Sequence, residues 1–239
     1  MFLIIPYRDR KEDLDKMLDT IKKLKKEWNK DIKILLCEQI NNEKFNKGKL
    51  INCGIHYLRS INFNSTIIIH DVDIYPKLNA QHLYENSNSM CHLYGLNHCF
   101  GGVMLSNIKN FIDVNGYSNK YIGWGREDTD FKARCEHFNL HIDNSRFQER
   151  YNSSFFEENK NISKRKHNLN NINYYDKCKK NPSHYLKDGL SNILSSNYSV
   201  EIKKDYIWIK VKNNKTSSIS NKTVIKKIKR NIILKNKNN

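Results

Sequence analysis

Apolar residues follow two rhythms along the first third of the chain. Phe2-Leu-Ile-Ile is a short continuous apolar run closed by Pro6, and the charged stretch after it carries Leu14, Met17, Leu18, Ile21 and Leu24 at helical spacing. Asp31-Ile-Lys-Ile-Leu-Leu-Cys37 repeats the strand pattern. Asn46 to Arg59, with Leu50, Ile51, Cys53, Gly54, Tyr57 and Leu58, repeats the helical one. Thr66-Ile-Ile-Ile-His70 reads as a third buried strand and runs straight into Asp71-Val-Asp73. Buried strands alternating with amphipathic helices predict an α/β fold whose mainly parallel sheet is covered on both faces, with ligands gathering beyond the carboxyl ends of the strands. Near the end of the patterned region, Tyr198-Ser-Val-Glu-Ile202 and Asp205-Tyr-Ile-Trp-Ile-Lys-Val211 read as a terminal β-hairpin.

The segments that follow those strands carry the candidate chemistry. Pro6-Tyr7-Arg8-Asp9-Arg10 sets two arginines just past the first strand, where they can reach an anionic phosphate or serve a solvated helix start. Asp71 and Asp73 flank Val72 on one side of an extended chain, a place for a hard divalent cation as well as for a simple chain turn. Phe100-Gly101-Gly102-Val103 allows close backbone approach to a ligand, and a strand bulge would use the glycines equally well. Ser106 is expected to cap a short helix ending at Gly116. Tyr121-Ile-Gly-Trp-Gly-Arg-Glu-Asp-Thr-Asp-Phe131 says most: glycines flank Trp124, whose flat face suits a pyranose ring, and Glu127, Asp128 and Asp130 open a helix. A carboxylate there can take a proton from a hydroxyl; the same acids also complement a helix dipole.

Composition changes this picture little. At 239 residues the chain accommodates one main domain, 1–212, followed by a basic tail, 213–239. No apolar run has the roughly 20 residues of a membrane-spanning helix and the N-terminal run is too short for a signal peptide, so a cytoplasmic protein is expected. The six cysteines are scattered singly, which favours free, buried thiols over zinc ligation or disulfides. A net charge of +17 is a usual mark of nucleic-acid binding. Lys, Asn and Ile are abundant throughout, however, and no zinc-finger, helix-turn-helix or aromatic RNA-binding signature is present, so no nucleic-acid partner is expected. In the tail, Val224 to Lys235 places apolar residues near one helical face amid lysines, a pattern for peripheral contact with an anionic membrane or for a frayed basic end.

Pro6-Tyr-Arg-Asp-Arg10, Phe45-Asn-Lys-Gly-Lys-Leu-Ile-Asn52, Asp71-Val-Asp73, Phe100-Gly-Gly-Val103, Asn115-Gly-Tyr117, Gly123-Trp-Gly-Arg-Glu-Asp128 and Asp188-Gly-Leu190 together resemble the ordered motifs of the β-1,4-galactosyltransferase family. The resemblance spans roughly residues 2 to 212. It implies a GT-A type nucleotide-sugar fold, a UDP-Gal or UDP-GalNAc donor, Mn²⁺, and inverting transfer to a GlcNAc-, Glc- or Xyl-type acceptor. On the same basis Pro6, Tyr7, Arg8, Arg10, Phe45 and Lys47 match uridine and diphosphate contacts. Asp71, Val72, Gly101 and Gly102 match the donor pocket, and Asp73 matches a metal ligand. Trp124 resembles a closing-loop tryptophan, Glu127 an acceptor contact, and Asp128 the base. The further metal ligand of the family falls on His167, with Glu157 the ungapped alternative. Arg126, Thr129 and Ile122 depart from the family pattern. Cys99 stands where galactose-restricted members have a bulky residue, which implies room for a 2-acetamido group. Tyr175 resembles an aromatic that packs on the acceptor.

Overall fold

The computed structural model describes residues 1–159 and 167–212; the basic tail, read from sequence as an amphipathic helix or a frayed end, lies outside the described residues. In chain order the elements are β1 (Phe2–Tyr7), α1 (Lys11–Glu27), β2 (Lys33–Gln39), α2 (Lys47–Ser60), β3 (Thr66–His70), β4 (Ile74–Pro76), β5 (Met90–Gly95) and β6 (Val103–Asn107). There follow α3 (Ile108–Asp113), α4 (Glu127–His137), β7 (Ile142–Asp143), β8 (Gln148–Glu149), β9 (Phe156–Glu158), α5 (Leu169–Lys180), α6 (His184–Lys187), β10 (Tyr198–Ile202) and β11 (Tyr206–Val211).

The main sheet runs β10-β11-β2-β1-β3-β6-β5-β7, with β8 also paired to β5. β1 lies parallel to β2 and β3, β11 is parallel to β2, and β6 is antiparallel to both β3 and β5. This is the expected mixed, mainly parallel sheet flanked by helices, closed at one side by the expected hairpin of β10 and β11. Because β6 reverses twice, the ends of β1, β2, β3 and β5 and the start of β6 share one edge, and the candidate segments converge there.

The continuous apolar run of β1 is explained by its two covered faces. Ile4 joins Leu35, Leu50, Ile51 and Phe131 on one side of the sheet. Leu3, Ile5 and Tyr7 join Leu14, Met17 and Trp28 on the other, so the side chains alternate between two cores. All six cysteines are free, and all but Cys99 are buried. The helix after β6 is capped differently from the sequence expectation. Ser106 belongs to β6 and its Oγ donates to the Ser89 carbonyl at 3.0 Å, whereas Asn107 accepts from the Lys109 amide at 2.9 Å and starts α3. An Asn side chain reaches the second helical amide as well as Ser does, and strand pairing had already claimed Ser106. No helix among the described residues is long and apolar enough to cross a membrane.

Candidate active site

Just beyond β1, Arg10 joins two acids that lie far apart in sequence. Its Nη1 donates to Asp73 Oδ2 at 2.7 Å, and its Nε donates to Asp13 Oδ2 at 2.8 Å. Asp13, on the first turn of α1, is held in turn by Tyr75 Oη at 2.6 Å and by Asn159 Nδ2 at 2.8 Å. Burial pushes the Asp73 carboxyl above its ordinary value, the nearby Asp71 adds to this, and Arg10 opposes both. Arg8 projects the other way, donates to the Glu43 carbonyl, and places its guanidinium 5.6 Å from the centre of the Phe45 ring.

The second centre is Lys47, the first residue of α2, set there by the Asn46 cap, whose side chain accepts from the Lys49 amide. Its ammonium is 2.9 Å from Asp71 Oδ1 and 3.1 Å from Asp128 Oδ1. The hydrogen bond to Asp128 goes to Oδ2, so Oδ1 is in ionic contact without a hydrogen-bond donor. Burial pushes Asp128 up to about 8, with Glu127 and Asp71 adding to the rise and Lys47 opposing it. Lys47 is itself raised: burial works against its charge, and Asp128 and Asp71 outweigh that. Asp71 is lowered despite its burial, because Lys47 is nearest to it. One ammonium thus serves several carboxylates, and Asp128 is the one left poised to exchange a proton near neutrality.

Asp128 is aimed by backbone. Phe100 N donates to the Asp128 carbonyl, and a Cβ on Gly101 would fall 2.7 Å from Asp128 Oδ2, so any larger residue there would displace that carboxylate. Gly102 has φ +84, its amide donates to Asp71 Oδ2 at 3.3 Å, and its carbonyl accepts from the Asp71 amide at 3.0 Å. The glycine pair therefore seats the carboxylates rather than merely bulging a strand.

The loop before α4 is tied to its neighbours at both ends. Gly123 N donates to the Phe45 carbonyl at 2.7 Å, and Gly125 N donates to Glu127 Oε2 at 3.1 Å. Asn171, buried on α5, holds the carbonyls of Ile122 and Gly125. Trp124 itself is 39% exposed, and its ring lies 4.1 Å from that of His167.

These groups line one cleft of about 680 Å³. Pro6, Arg8, Arg10, Phe45 and Lys47 line it from the β1 and α2 side. Asp71, Val72 and Asp73 form its floor, and Gly101, Gly102, Trp124, Glu127 and Asp128 complete it. Tyr7 and His167 do not line it. Tyr7 packs in the α1-side core with Leu3 and Ile5, and His167 sets its ring against that of Trp124. Glu157 pairs with Lys16 on α1 instead. Tyr175 meets the Arg126 guanidinium 5.5 Å away. Among the described residues no group of three His, Cys, Asp or Glu side chains is gathered to hold a metal ion. Asp73 nonetheless suits a hard cation: it is a nearly buried oxygen donor beside a second carboxylate, in a site with more negative charge than Arg10 alone balances.

Sequence reasoning missed Lys44, Tyr94, Arg150 and Tyr151, which also line the cleft. The last two lie in an irregular stretch with no hydrophobic period to place them.

The chain is similar to known glycosyltransferases. Residues 1–87 match the model described as the N-terminal region of glycosyl transferase group 7, and residues 81–157 match the one described as the N-terminal domain of galactosyltransferase. The chain is 33% identical over 144 residues to β-1,4-galactosyltransferase 4 of Cricetulus griseus, covering 56% of this chain and 42% of that protein. It is 33% identical over 148 residues to a β-N-acetyl-D-glucosaminide β-1,4-N-acetylglucosaminyl-transferase of Lymnaea stagnalis, covering 58% and 30%. The chain spans less than half the length of these curated relatives. The catalytic domain of Drosophila β-1,4-galactosyltransferase 7, solved with xylobiose, superposes with a TM-score of 0.68 at 22% identity over 93% of this chain and 96% of that one. A mutant of the same enzyme, solved with manganese, UDP-Gal and xylobiose, superposes at 0.62 with 22% identity over the same shares of each chain. The fold is therefore of the GT-A type, and with its two family models together spanning residues 1–157 the chain belongs to the galactosyltransferase family of glycosyl transferase group 7.

Proposed function

We propose that the cleft is the active site of a metal-dependent inverting glycosyltransferase that moves Gal or GalNAc from a UDP-sugar to a sugar hydroxyl in β linkage. The observation that carries this reading is the placement of Asp128, raised toward neutrality, in the same cleft as the Asp73–Arg10 pair, with Trp124 at the rim. Asp128 accepts the proton of the acceptor hydroxyl. The oxygen so freed forms its bond to the anomeric carbon as the bond from that carbon to the diphosphate breaks on the opposite side and UDP departs with the electron pair. Arg8 and Arg10 provide cationic contacts for the diphosphate, and Phe45 offers an aromatic face to the uracil. Asp73 would hold Mn²⁺ in the cleft; when bound, that ion would neutralise charge on the leaving diphosphate. Trp124 and its loop cover the reacting sugars and exclude water, which would otherwise hydrolyse the donor.

Cys99 lines the cleft beside the glycine pair, and its small side chain supports a donor pocket that admits a 2-acetamido group. The test is UDP release from UDP-Gal and UDP-GalNAc, with UDP-GlcNAc added because of the Lymnaea relative, with and without Mn²⁺, across GlcNAc-, Glc- and Xyl-terminated acceptors. Turnover that needs both metal and acceptor, and that Asp73→Ala reduces by at least about a hundredfold, is expected. Donor binding without release in any combination would replace the transferase reading with that of a nucleotide-sugar-binding module.

A further inference from the structure

Two crevices open along the carboxyl edge of the sheet. The first is the candidate active site. The second lies beyond β2 and β11, which run parallel and end side by side at Gln39 and Val211. Both residues line a cavity of about 370 Å³. The carboxyl ends of parallel strands are where α/β sheets gather ligands, and this volume is that of a small-molecule site. None of the candidate site residues lines it.

The segment between β2 and α2 separates the two crevices. Gln39 is buried and fixes that segment: its Nε2 donates to the Glu43 carbonyl at 2.9 Å, and its Oε1 accepts from the Asn46 amide at 2.9 Å. Asn46 Nδ2 then donates to the Asn119 carbonyl at 2.7 Å, which ties the segment to the chain beyond α3. Lys44 is the one residue that lines both cavities.

Four lysines from separate segments line the second crevice. Lys44 belongs to the β2–α2 segment, Lys49 to the first turn of α2, Lys120 to the stretch before the Trp124 loop, and Lys187 to the end of α6. Among the described residues no carboxylate is ion-paired with any of them, and the Lys120 ammonium lies 5.3 Å from the centre of the Tyr174 ring. Elsewhere even exposed lysines pair, as Lys11 does with Asp15 and Lys16 with Glu157.

Two acids, Glu43 and Asp188, also line the cavity. Asp188 is buried and already engaged: Oδ2 accepts from Ser118 Oγ and from Tyr174 Oη at 3.0 Å, and Oδ1 accepts from the Asn119 amide at 3.1 Å. Four ammonium groups against two carboxylates leave an excess that suits a phosphate dianion. The flexible lysine stem lets each ammonium close on such a group, whereas like charges have no reason to converge on an empty space.

We propose that the second crevice is a binding site for a phosphate-bearing small molecule of about the size of a sugar phosphate. The inference goes beyond the transferase reading and does not rest on it, because the Arg8 and Arg10 guanidinium groups line the other crevice.

The experiment titrates glucose 6-phosphate, with glucose as the neutral control, into the wild type, Arg8→Gln, and the triple variant Lys49→Gln, Lys120→Gln, Lys187→Gln. Calorimetry should show binding to the wild type and to Arg8→Gln alike, weakened at least about tenfold in the triple variant and by added salt, with none for glucose. The corresponding triple arginine variant keeps the charge and should retain binding. The glutamine variant should melt no lower than wild type, since it loses only mutual repulsion. Amide NMR locates the site on the wild type without mutation: glucose 6-phosphate should shift Lys49, Asn119 and Asn192. Shifts confined to Arg8, Asp71 and Gly102, or affinity unchanged in the glutamine variant, would place the anion in the active-site cleft and overturn the proposal. Absent binding of glucose 6-phosphate, beside sedimentation with phosphatidylglycerol vesicles that needs the same lysines, would overturn it in favour of a membrane-facing surface.

Discussion

Asp128 illustrates how a single residue can be legible in type and illegible in state. A carboxylate after a glycine-flanked tryptophan is a base candidate from sequence, but its raised proton affinity comes from burial, Glu127 and Asp71, against Lys47. Three of those four causes depend on the fold, since Asp71 and Lys47 arrive from other elements. The sign gives two expectations. Catalysis needs the carboxylate, so kcat/KM for the donor should rise with pH and level off above about 8, and Asp128→Asn should abolish transfer while leaving donor binding intact. Stability should run the opposite way. A carboxyl whose folded value lies above its unfolded one contributes stability that is fully present below the ordinary carboxylate range and is lost as pH rises through about 8. Melting temperatures of wild type and Asp128→Asn across pH 6 to about 9 check this: the wild type should fall more steeply, and parallel curves would remove Asp128 as the titrating group. Tyr7 shows the reverse case. Strand parity puts it on the face of Leu3 and Ile5, which could have been read from the sequence, yet the surrounding motif drew it into the expected binding set.

At the scale of elements, strand ends and helix starts were readable because period and punctuation mark them. β1, β2, β3 and α2 fall where the apolar spacing and Asn46 place them, and the edge they share was implied by the alternation. The tethering of the Trp124 loop was not readable. Its partners are the Phe45 carbonyl and the side chains of Asn168 and Asn171, contacts across long sequence separations that leave no local trace. Within that loop Gly125 has φ +110, and a Cβ there would sit 2.5 Å from His167 Nδ1. Gly125→Ala should therefore strain the loop and push His167 away from Trp124, lowering transfer by about tenfold or more with only a small loss in melting temperature. Trp124→Ala keeps the backbone and removes the cover, so its loss of transfer should come with an increased share of donor hydrolysis. If Gly125→Ala retains wild-type transfer, the contact between His167 and Trp124 has no part in the working loop.

Across the whole molecule, the base is held by a clamp that no motif announced. α4 begins with Glu127 and Asp128, and one side of it is anchored by Arg134, fully buried. Arg134 Nη1 donates to the carbonyls of Gly116 at 3.0 Å and Asp188 at 2.8 Å, and Nη2 lies 3.5 Å from Asp130 Oδ2. The Asp188 side chain binds Ser118 Oγ and the Asn119 amide, which draws the turn after α3 to the same point. Asn115-Gly-Tyr117 and Asp188-Gly-Leu190 were visible as motifs, but their role was not, because what they present to Arg134 is backbone carbonyl, identical for every residue type. Replacing Arg134 with Met would leave those carbonyls without a donor and Asp130 buried without a cation, a loss of about 3–5 kcal/mol. For a domain of this size that is roughly 6–20 °C in melting temperature. The loss should itself depend on pH. Burial already pushes Asp130 up to about 6, so the stability tied to its proton is present in acid and is lost as pH rises through about 6. Without the Arg134 charge to oppose that rise, Arg134→Met should be far closer to wild type at pH 5 than at about pH 8. The double variant with Asp130→Asn should recover part of the difference at the higher pH. An Arg134→Met protein as stable as wild type at both pH values would mean that α4 is held by its apolar packing on Phe111 and Tyr117 alone, and that the base needs no buried cation behind it.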